Sequence, residues 1–414
     1  MKKDWEIKKM LDVVDFQRGL TYSKKDEVDF SDNIVLRSNN VDLKTNKLDF
    51  TELKYINPKI VIPENKKVTK GSLIICTANG SKSHLGKVAL IDKDYDYAFG
   101  GFMGLIKPKE NLNSFFLFYM LTSENYKKFI GALSNGVGIN NLKFGDLGEF
   151  EIPVPPLPEQ QRIVAILDEA FAAIAKAKAN AQQNLQNAKE LFESYLQGVF
   201  NADDIHKNGW EENCLDELGV ITSSKRIYKS EYVKDGVPFY RTKEIKELSN
   251  GKDISLELFI SRARYEEIKK SFGVPLIGDL LMSAVGTIGE IMVIENEDEF
   301  YFKDGNIVWF KGFKCLDTNY LKYALTAFVE KIKSLAIGAA YSALTIEKLN
   351  KYKIAFPKSK IEQQTIVQKL DALSAETKKL ESIYQQKINN LEELKKSVLL
   401  KAFSGELKMK KELG

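Results

Sequence analysis

One stretch of this chain is written twice, and it constrains everything around it. Residues 155–200 recur 203 positions further on: Glu159-Gln160-Gln161 returns as Glu362-Gln363-Gln364, Leu167-Asp168 as Leu370-Asp371, Leu191 as Leu394 and Phe200 as Phe403. Each copy runs for about 40 residues without an internal proline or glycine, which predicts a helical rod of ~60 Å at 1.5 Å per residue. In the first copy Ile163, Leu167, Ala170, Ile174, Ala177, Ala181, Asn184, Ala188, Leu191 and Tyr195 alternate at spacings of four and three. In the second, Ile366, Leu370, Leu373, Thr377, Leu380, Tyr384, Lys387, Leu391, Leu394 and Val398 keep the same register. This is the seam of a coiled coil, and two matched seams in one chain predict that the rods pair with each other. Asn184 and Lys387 are equivalent polar members of the two seams. Such residues either fix register at a cost in stability or snorkel their ends into water.

The repeat extends beyond the rods. Trp5-Glu6 with Leu11-Asp12 matches Trp210-Glu211 with Leu215-Asp216, and the run from Asn33 to Arg37 matches Val237 to Arg241. Gly71-Ser-Leu-Ile-Ile and Gly278-Asp-Leu-Leu-Met read as strands, each leading into a glycine-containing loop, residues 79–86 and 285–289. Further strands are expected at Val88 to Ile91, Ile291 to Ile294 and Ile307 to Phe310, and helices around Ser114 to Ile130 and Thr318 to Ala336. The proline-rich run Ile152-Pro-Val-Pro-Pro-Leu-Pro158 predicts a stiff hinge that neither continues a strand nor begins a helix before its end. The order is therefore globular domain (1–154), rod (155–200), globular domain (201–357) and rod with tail (358–414), with a pseudo-twofold relation between the halves.

Bulk properties narrow the function. A 44% hydrophobic and 29% charged composition is that of a folded chain. The 61 basic and 57 acidic residues leave a net charge of only +4, so any nucleic-acid surface must be local. Cys76, Cys214 and Cys315 lie far apart without CxxC spacing, which argues against a zinc knuckle or a disulfide framework. No apolar run approaches the ~20 residues of a membrane span, so no membrane partner and a cytoplasmic location are expected. The chain also lacks a Walker loop, a nucleophile elbow, HExxH and a dinucleotide GxGxxG. With only His84 and His206, histidine chemistry has little material. These absences point to recognition and assembly, with no catalytic or metal site of its own.

A duplicated globular domain alternating with a duplicated long helix, each helix opening on Glu-Gln-Gln, resembles the DNA-specificity subunits of Type I restriction-modification systems. The resemblance spans essentially the whole chain. It rests on Ile152-Pro-Val-Pro-Pro-Leu-Pro-Glu-Gln-Gln-Arg-Ile163, on Gly136-Val-Gly-Ile-Asn-Asn-Leu142 before it and on Gly338-Ala-Ala-Tyr-Ser-Ala-Leu344 as the second copy of that approach. The second hinge departs from the family pattern, reading Phe-Pro-Lys-Ser-Lys-Ile-Glu-Gln. The resemblance implies an α+β fold: two mixed α/β target-recognition domains, each reading one half of a split double-stranded DNA sequence, and two long helices paired as an antiparallel coiled coil. It also implies that the helices set the distance between half-sites and dock two adenine methyltransferase subunits, through which restriction and translocase subunits join. No cofactor is expected in this chain; S-adenosylmethionine would sit in the methyltransferase. The competing expectation is a coiled-coil scaffold joining two protein-binding domains.

For DNA contact the equivalent Arg37 and Arg241 lead, since an arginine can bond bidentately to guanine. Ser38, Asn39, Asn40, Thr242 and Lys243 follow them as reading or positioning groups. Against this, either arginine could brace its own domain through a carboxylate. Ser81, Lys82, Ser83, His84 and Lys87 form a polar, cationic loop suited to phosphates, or an ordinary hairpin tip. Lys225, Arg226, Tyr228 and Lys229 make a basic and aromatic loop in the second half. Asn140, Asn141, Tyr341 and Ser342 occupy the matched approaches to the rods. Trp5 and Trp210 are expected as core anchors, with DNA contact as the alternative, and the equivalent Asp168 and Asp371 either as partner-docking carboxylates or as part of a solvated helix face.

Overall fold

A computed structural model describes residues 5–134, 141–200, 209–335 and 344–407. The chain groups into two compact units, Met1–Gln182 with Gln385–Gly414, and Gln183–Tyr384. Each unit therefore takes one globular half together with part of both long helices.

In the first unit the strands are β1 (Glu6–Lys9), β2 (Val14–Arg18), β3 (Glu27–Val28), β4 (Ile34–Leu36), β5 (Lys54–Ile56), β6 (Leu73–Cys76), β7 (Val88–Leu90), β8 (Tyr97–Phe99), β9 (Met103–Pro108) and β10 (Glu151–Val154). They order as β1-β10, β2-β9-β6-β7 and β3-β5-β4-β8. The helices are α1 (Met10–Val13), α2 (Ser114–Met120), α3 (Glu124–Ser134), α4 (Phe144–Gly148) and the long α5 (Leu157–Phe200).

The second unit repeats this plan. It contains β11 (Trp210–Cys214), β12 (Val220–Thr222), β13 (Tyr232–Val233), β14 (Val237–Tyr240), β15 (Phe259–Ile260), β16 (Leu280–Ser283), β17 (Ile291–Val293), β18 (Tyr301–Phe302), β19 (Ile307–Lys311) and β20 (Lys353–Pro357). Their orders, β11-β20, β12-β19-β16-β17 and β13-β15-β14-β18, match the first unit strand for strand. Its helices are α6 (Leu215–Leu218), α7 (Thr242–Ser249), α8 (Arg262–Ser271), α9 (Thr318–Leu335), α10 (Ile346–Asn350) and the long α11 (Lys360–Ser404). The wholly buried strands β6 and β16 explain the unbroken apolar runs that announce them.

The repeated Glu-Gln-Gln start has a physical cause. Gln160 is fully buried; its Oε1 accepts from the Asn113 N–H at 2.8 Å, and its Nε2 donates to the carbonyls of Asn111 at 2.9 Å and Pro155 at 2.8 Å. Gln363 repeats the arrangement, accepting from the Asp317 N–H at 2.6 Å and donating to Cys315 at 3.1 Å and Pro357 at 2.8 Å. One amide thus satisfies three backbone groups that burial would otherwise leave unpaired. Further along, the Tyr119 hydroxyl donates to Asp168 and the Tyr323 hydroxyl to Asp371. The start of each long helix is thereby fixed to its own globular half.

The far end of each helix is built into the core around the start of the other. In the first unit Leu399 and Ala402 share a cluster with Ile163 and Leu167, Phe403 meets Phe116 edge-on at 5.3 Å, and Lys178 pairs with Glu392. Stepping forward along α5 there means stepping back along α11, so the helices pair antiparallel. In the second unit Phe192 and Leu196 pack with Val367 and Leu370, and Phe200 meets Tyr320 at 5.2 Å.

Three expectations need correction. First, Asn184 and Lys387 do not sit in a buried seam, and Leu191 and Tyr195 are exposed; Ala188 is buried as expected, but around it the inward stripe passes through Leu185, Phe192 and Leu196. An α-helix drifts ~20° per heptad against a strict 3.5 repeat, enough to carry the seam to the neighbouring residue by this point. Second, the proline run is not excluded from regular structure. Pro153 lies inside β10 opposite Ile7, and Pro158 in the first turn of α5. A proline costs little at a sheet edge or in a helix's first turn, where its missing N–H has no partner to lose. Third, the helix expected over Ser114 to Ile130 is two: at the break, the Thr122 hydroxyl bonds the Tyr119 carbonyl at 2.9 Å and Ser123 Oγ accepts from Tyr126 N at 3.4 Å. Local hydroxyl bonds of this kind compete with the helix ladder.

Two equivalent glycines carry the close packing behind the loops. Gly86 has φ +73° and Gly289 φ +89°, and a Cβ would meet Ile130 at 2.7 Å in one and Val329 at 2.4 Å in the other. Only glycine fits both demands. Trp5 is a buried core residue as expected, whereas Trp210 is half-buried and its Nε1 donates to Glu362 at 3.1 Å.

Candidate nucleic-acid interface

In the first unit β4 delivers the chain to Arg37, whose extended backbone leads into a single tight turn, Ser38–Asn40. The turn is held by Asn40, which is buried. Its Oδ1 accepts from Arg37 N at 2.8 Å and its Nδ2 donates to the carbonyls of Asp49 at 2.8 Å and Glu52 at 2.9 Å. Asn40 is thus consumed in stitching the loop and has no donor left for a base. Asn39 donates to Glu52 at 3.3 Å. Arg37 is half-buried, and its Nε has no hydrogen-bond partner. Among the described residues no carboxylate is ion-paired with it.

The loop after β6 lies beside this turn, because Asn79 Nδ2 donates to Ser38 Oγ at 2.8 Å. Ser81, Lys82 and Ser83 are exposed at its tip, and the two serine hydroxyls are 2.8 Å apart. Lys87 is different: it is only 6% exposed, donates to the Val41 carbonyl at 2.8 Å and lies 2.9 Å from His84 Nδ1. Burial lowers its pKa. Burial, and then the Lys87 charge, also lower that of His84, keeping the imidazole neutral at neutral pH. Lys87 and His84 therefore brace the loop, and the phosphate-facing role narrows to Lys82 and its serines. Asn141 is exposed and bridged to Ala78, next to Asn79. The structure thus brings Arg37, Ser38, Asn39, Ser81, Lys82, Ser83 and Asn141 to one edge of the unit. Asn140 lies outside the described residues.

The second unit keeps the frame and changes the loops. After Arg241 the tight turn is replaced by α7, and α8 is added before β16. The Arg241 guanidinium bonds Glu244 at 2.6 Å and Glu257 at 2.7 Å, and Lys243 bonds Glu257 at 2.8 Å. Glu244 is buried; that alone would raise its carboxyl, but the Arg241 hydrogen bonds more than offset it and its pKa is lowered. The exposed Glu257 carboxyl is held down to about 2, first by Lys243 and then by Arg241. Arg241 thus braces its own domain, with Thr242 opening α7 beside it.

Lys225, Arg226 and Tyr228 are exposed. The Lys225 ammonium lies 4.6 Å from the Phe272 ring centroid, and Arg226 pairs with Asp304 at 2.7 Å. The neighbouring Lys303 donates its N–H to Tyr240, so this basic loop and the Arg241 segment share an edge. Lys229 is exposed beside Tyr228, and Tyr341 and Ser342 lie outside the described residues.

Sequence reasoning misses Asn79, the clamp between two loops, and Phe102 and Asn306, which stand just before β9 and β19. A lone phenylalanine after Gly100-Gly101 is the signal that could have found Phe102. Asp168 and Asp371, expected to dock a partner, are engaged by tyrosines of their own units. Among the described residues no group of His, Cys, Asp and Glu could hold a metal ion, and no helix is long and apolar enough to cross a membrane.

Comparison with known proteins agrees with this architecture. The chain is 31% identical over 204 residues to the EcoKI specificity subunit of Escherichia coli K12, an alignment taking in 49% of this chain and 43% of that one. It is 24% identical to the StySPI specificity subunit of Salmonella potsdam across 98% of this chain and 90% of that one. Among solved structures, a chain described under complex assembly and conformational transition of the type I R-M system superposes with a TM-score of 0.79, at 20% identity and over 98% of this chain and 99% of that one. The HsdS subunit of Thermoanaerobacter tengcongensis gives 0.64, at 19% identity and over 98% of both chains. At such identities these two show a shared fold. The family model for the Type I restriction modification DNA specificity domain matches residues 2–185 and again 207–393, so the chain belongs to that family, with two copies of the domain.

Proposed function

We propose that this chain is the sequence-reading subunit of a Type I restriction-modification complex, each unit reading one half of a bipartite double-stranded DNA target. The observation that carries this is the pair of specificity domains with one strand plan and unlike loops: β4 leads into a tight turn with an unpaired arginine Nε, β14 into a helix with a clamped arginine. A common frame with different edges is what reading two different half-sequences requires. The exposed cations at those edges, Lys82 in one and Lys225 and Arg226 in the other, supply phosphate contacts that position without specifying.

The chain supplies recognition, and the chemistry belongs to partners. Adenine methyltransferase subunits, carrying S-adenosylmethionine, dock through the paired helices, and restriction and translocase subunits join through them. The outer faces of α5 and α11 remain exposed for this contact. Co-expression with candidate adenine methyltransferase subunits, followed by sequencing of methylated DNA, tests the proposal. Methylation at a split motif that appears only when this chain is present supports it. No such motif with any partner would favour a scaffold that joins protein-binding domains.

A further inference from the structure

Phe102 and Asn306 hold the same place in the two units. Each immediately precedes a central strand, and the registers agree: Cys76 stands opposite Met103 as Ser283 stands opposite Ile307. Each carbonyl accepts from the equivalent loop N–H, Phe102 from Thr77 N at 3.0 Å and Asn306 from Ala284 N at 2.8 Å. In the first unit the Phe102 carbonyl also takes the Thr77 hydroxyl at 3.0 Å and the Ala78 N–H at 3.1 Å. These backbones are therefore tied to the loop that follows β6 or β16, which in the first unit carries Asn79, Ser81 and Lys82.

Their side chains stand outside the core that their backbones border. The next residue in each chain, Met103 or Ile307, is 1% exposed, whereas Phe102 is 74% exposed and Asn306 half-buried. Gly101 precedes Phe102, and Gly305, at φ +72° with open space where a Cβ would point, precedes Asn306. A glycine there leaves the side chain without bulk beside it and lets another surface come close. One exposed phenylalanine needs no special cause. Here, however, the same anchored position carries an apolar ring in one recognition unit and a carboxamide in the other, beside the edge already assigned to DNA.

We propose that Phe102 and Asn306 are specificity-determining residues that read base edges, one in each half-site. Phe102 has only apolar surface to offer, which suits the C5-methyl of thymine; Asn306 offers a donor and an acceptor, which suits adenine N6 and N7. Each therefore fixes an A·T pair, by opposite chemistry. This rests on the recognition function proposed above.

The test uses the full chain with its methyltransferase partner and reads the methylated motif by sequencing. Phe102→Ala is expected to lower thymine preference about ten-fold at one position of one half-site, leaving the other half-site intact. Phe102→Leu, which keeps an apolar contact, should retain the preference. Asn306→Ala should relax one adenine position in the other half-site only. Motifs unchanged in both alanine variants, or methylation lost with no change in sequence preference, would overturn the inference. If the unsubstituted chain directs no motif at all, the recognition function itself fails, and this inference with it.

Discussion

Arg37 and Arg241 are equivalent in sequence yet differ in what they touch, and the difference is measurable. Arg241 covers the buried carboxylate of Glu244, so Arg241→Ala strands that charge and should cost about 2 kcal/mol of stability in thermal or urea unfolding, less than a wholly buried pair because Arg241 is partly wet. Arg37→Ala should cost under ~1 kcal/mol and instead alter a guanine preference in one half of the methylated motif; an intact motif would move Arg37 to a bracing role. The Glu257 clamp gives a pH signature. Its carboxyl is depressed from 4.5 to about 2 by Lys243 and then Arg241. It therefore contributes stability above pH 4.5, lost as pH falls towards 2. Melting curves of the unsubstituted chain and Glu257→Gln should differ near neutrality and converge on acidification. The sequence could place both arginines at strand ends but could not show which had a carboxylate in reach, because Glu257 lies 16 residues beyond Arg241 in the segment leading into β15.

Among the elements, the long helices were the most legible, because their starts depend on one residue type. Gln160 and Gln363 each close three backbone hydrogen bonds, and no other side chain of that length offers both a donor pair and an acceptor. Gln160→Ala should cost about 2–4 kcal/mol, seen as lower unfolding stability of the first unit, and Gln363→Ala the same in the second. The seam is legible through Ala181 and again at Ala188, but Asn184, Leu191 and Tyr195 each fall one residue short of the inward position. A strict heptad count ignores the drift that puts Leu185, Phe192 and Leu196 inward. The proline run misleads for a related reason: its sequence shows the missing N–H but not that β10 and α5 have no use for it.

For the molecule as a whole, the internal repeat is legible because equal strand orders leave the same succession of buried residues, from Leu73 and Leu280 to Ile152 and Ile354. The reading edges are not, since Lys87 and Asn40 look as available as Lys82 and Asn39 until their partners are seen. If helix length sets the gap between half-sites, a matched four-residue insertion near Asn184 and near Lys387 should lengthen the methylated gap and leave both half-sequences unchanged; an unaltered gap would refute that dependence. The central claim is one half-site per unit. Its most direct measurement is the methylated motif after residues 14–134 are exchanged for the corresponding segment of a relative with a different target. One half of the motif should change while the other half stays as it was. Both halves changing together, or neither, would contradict the account.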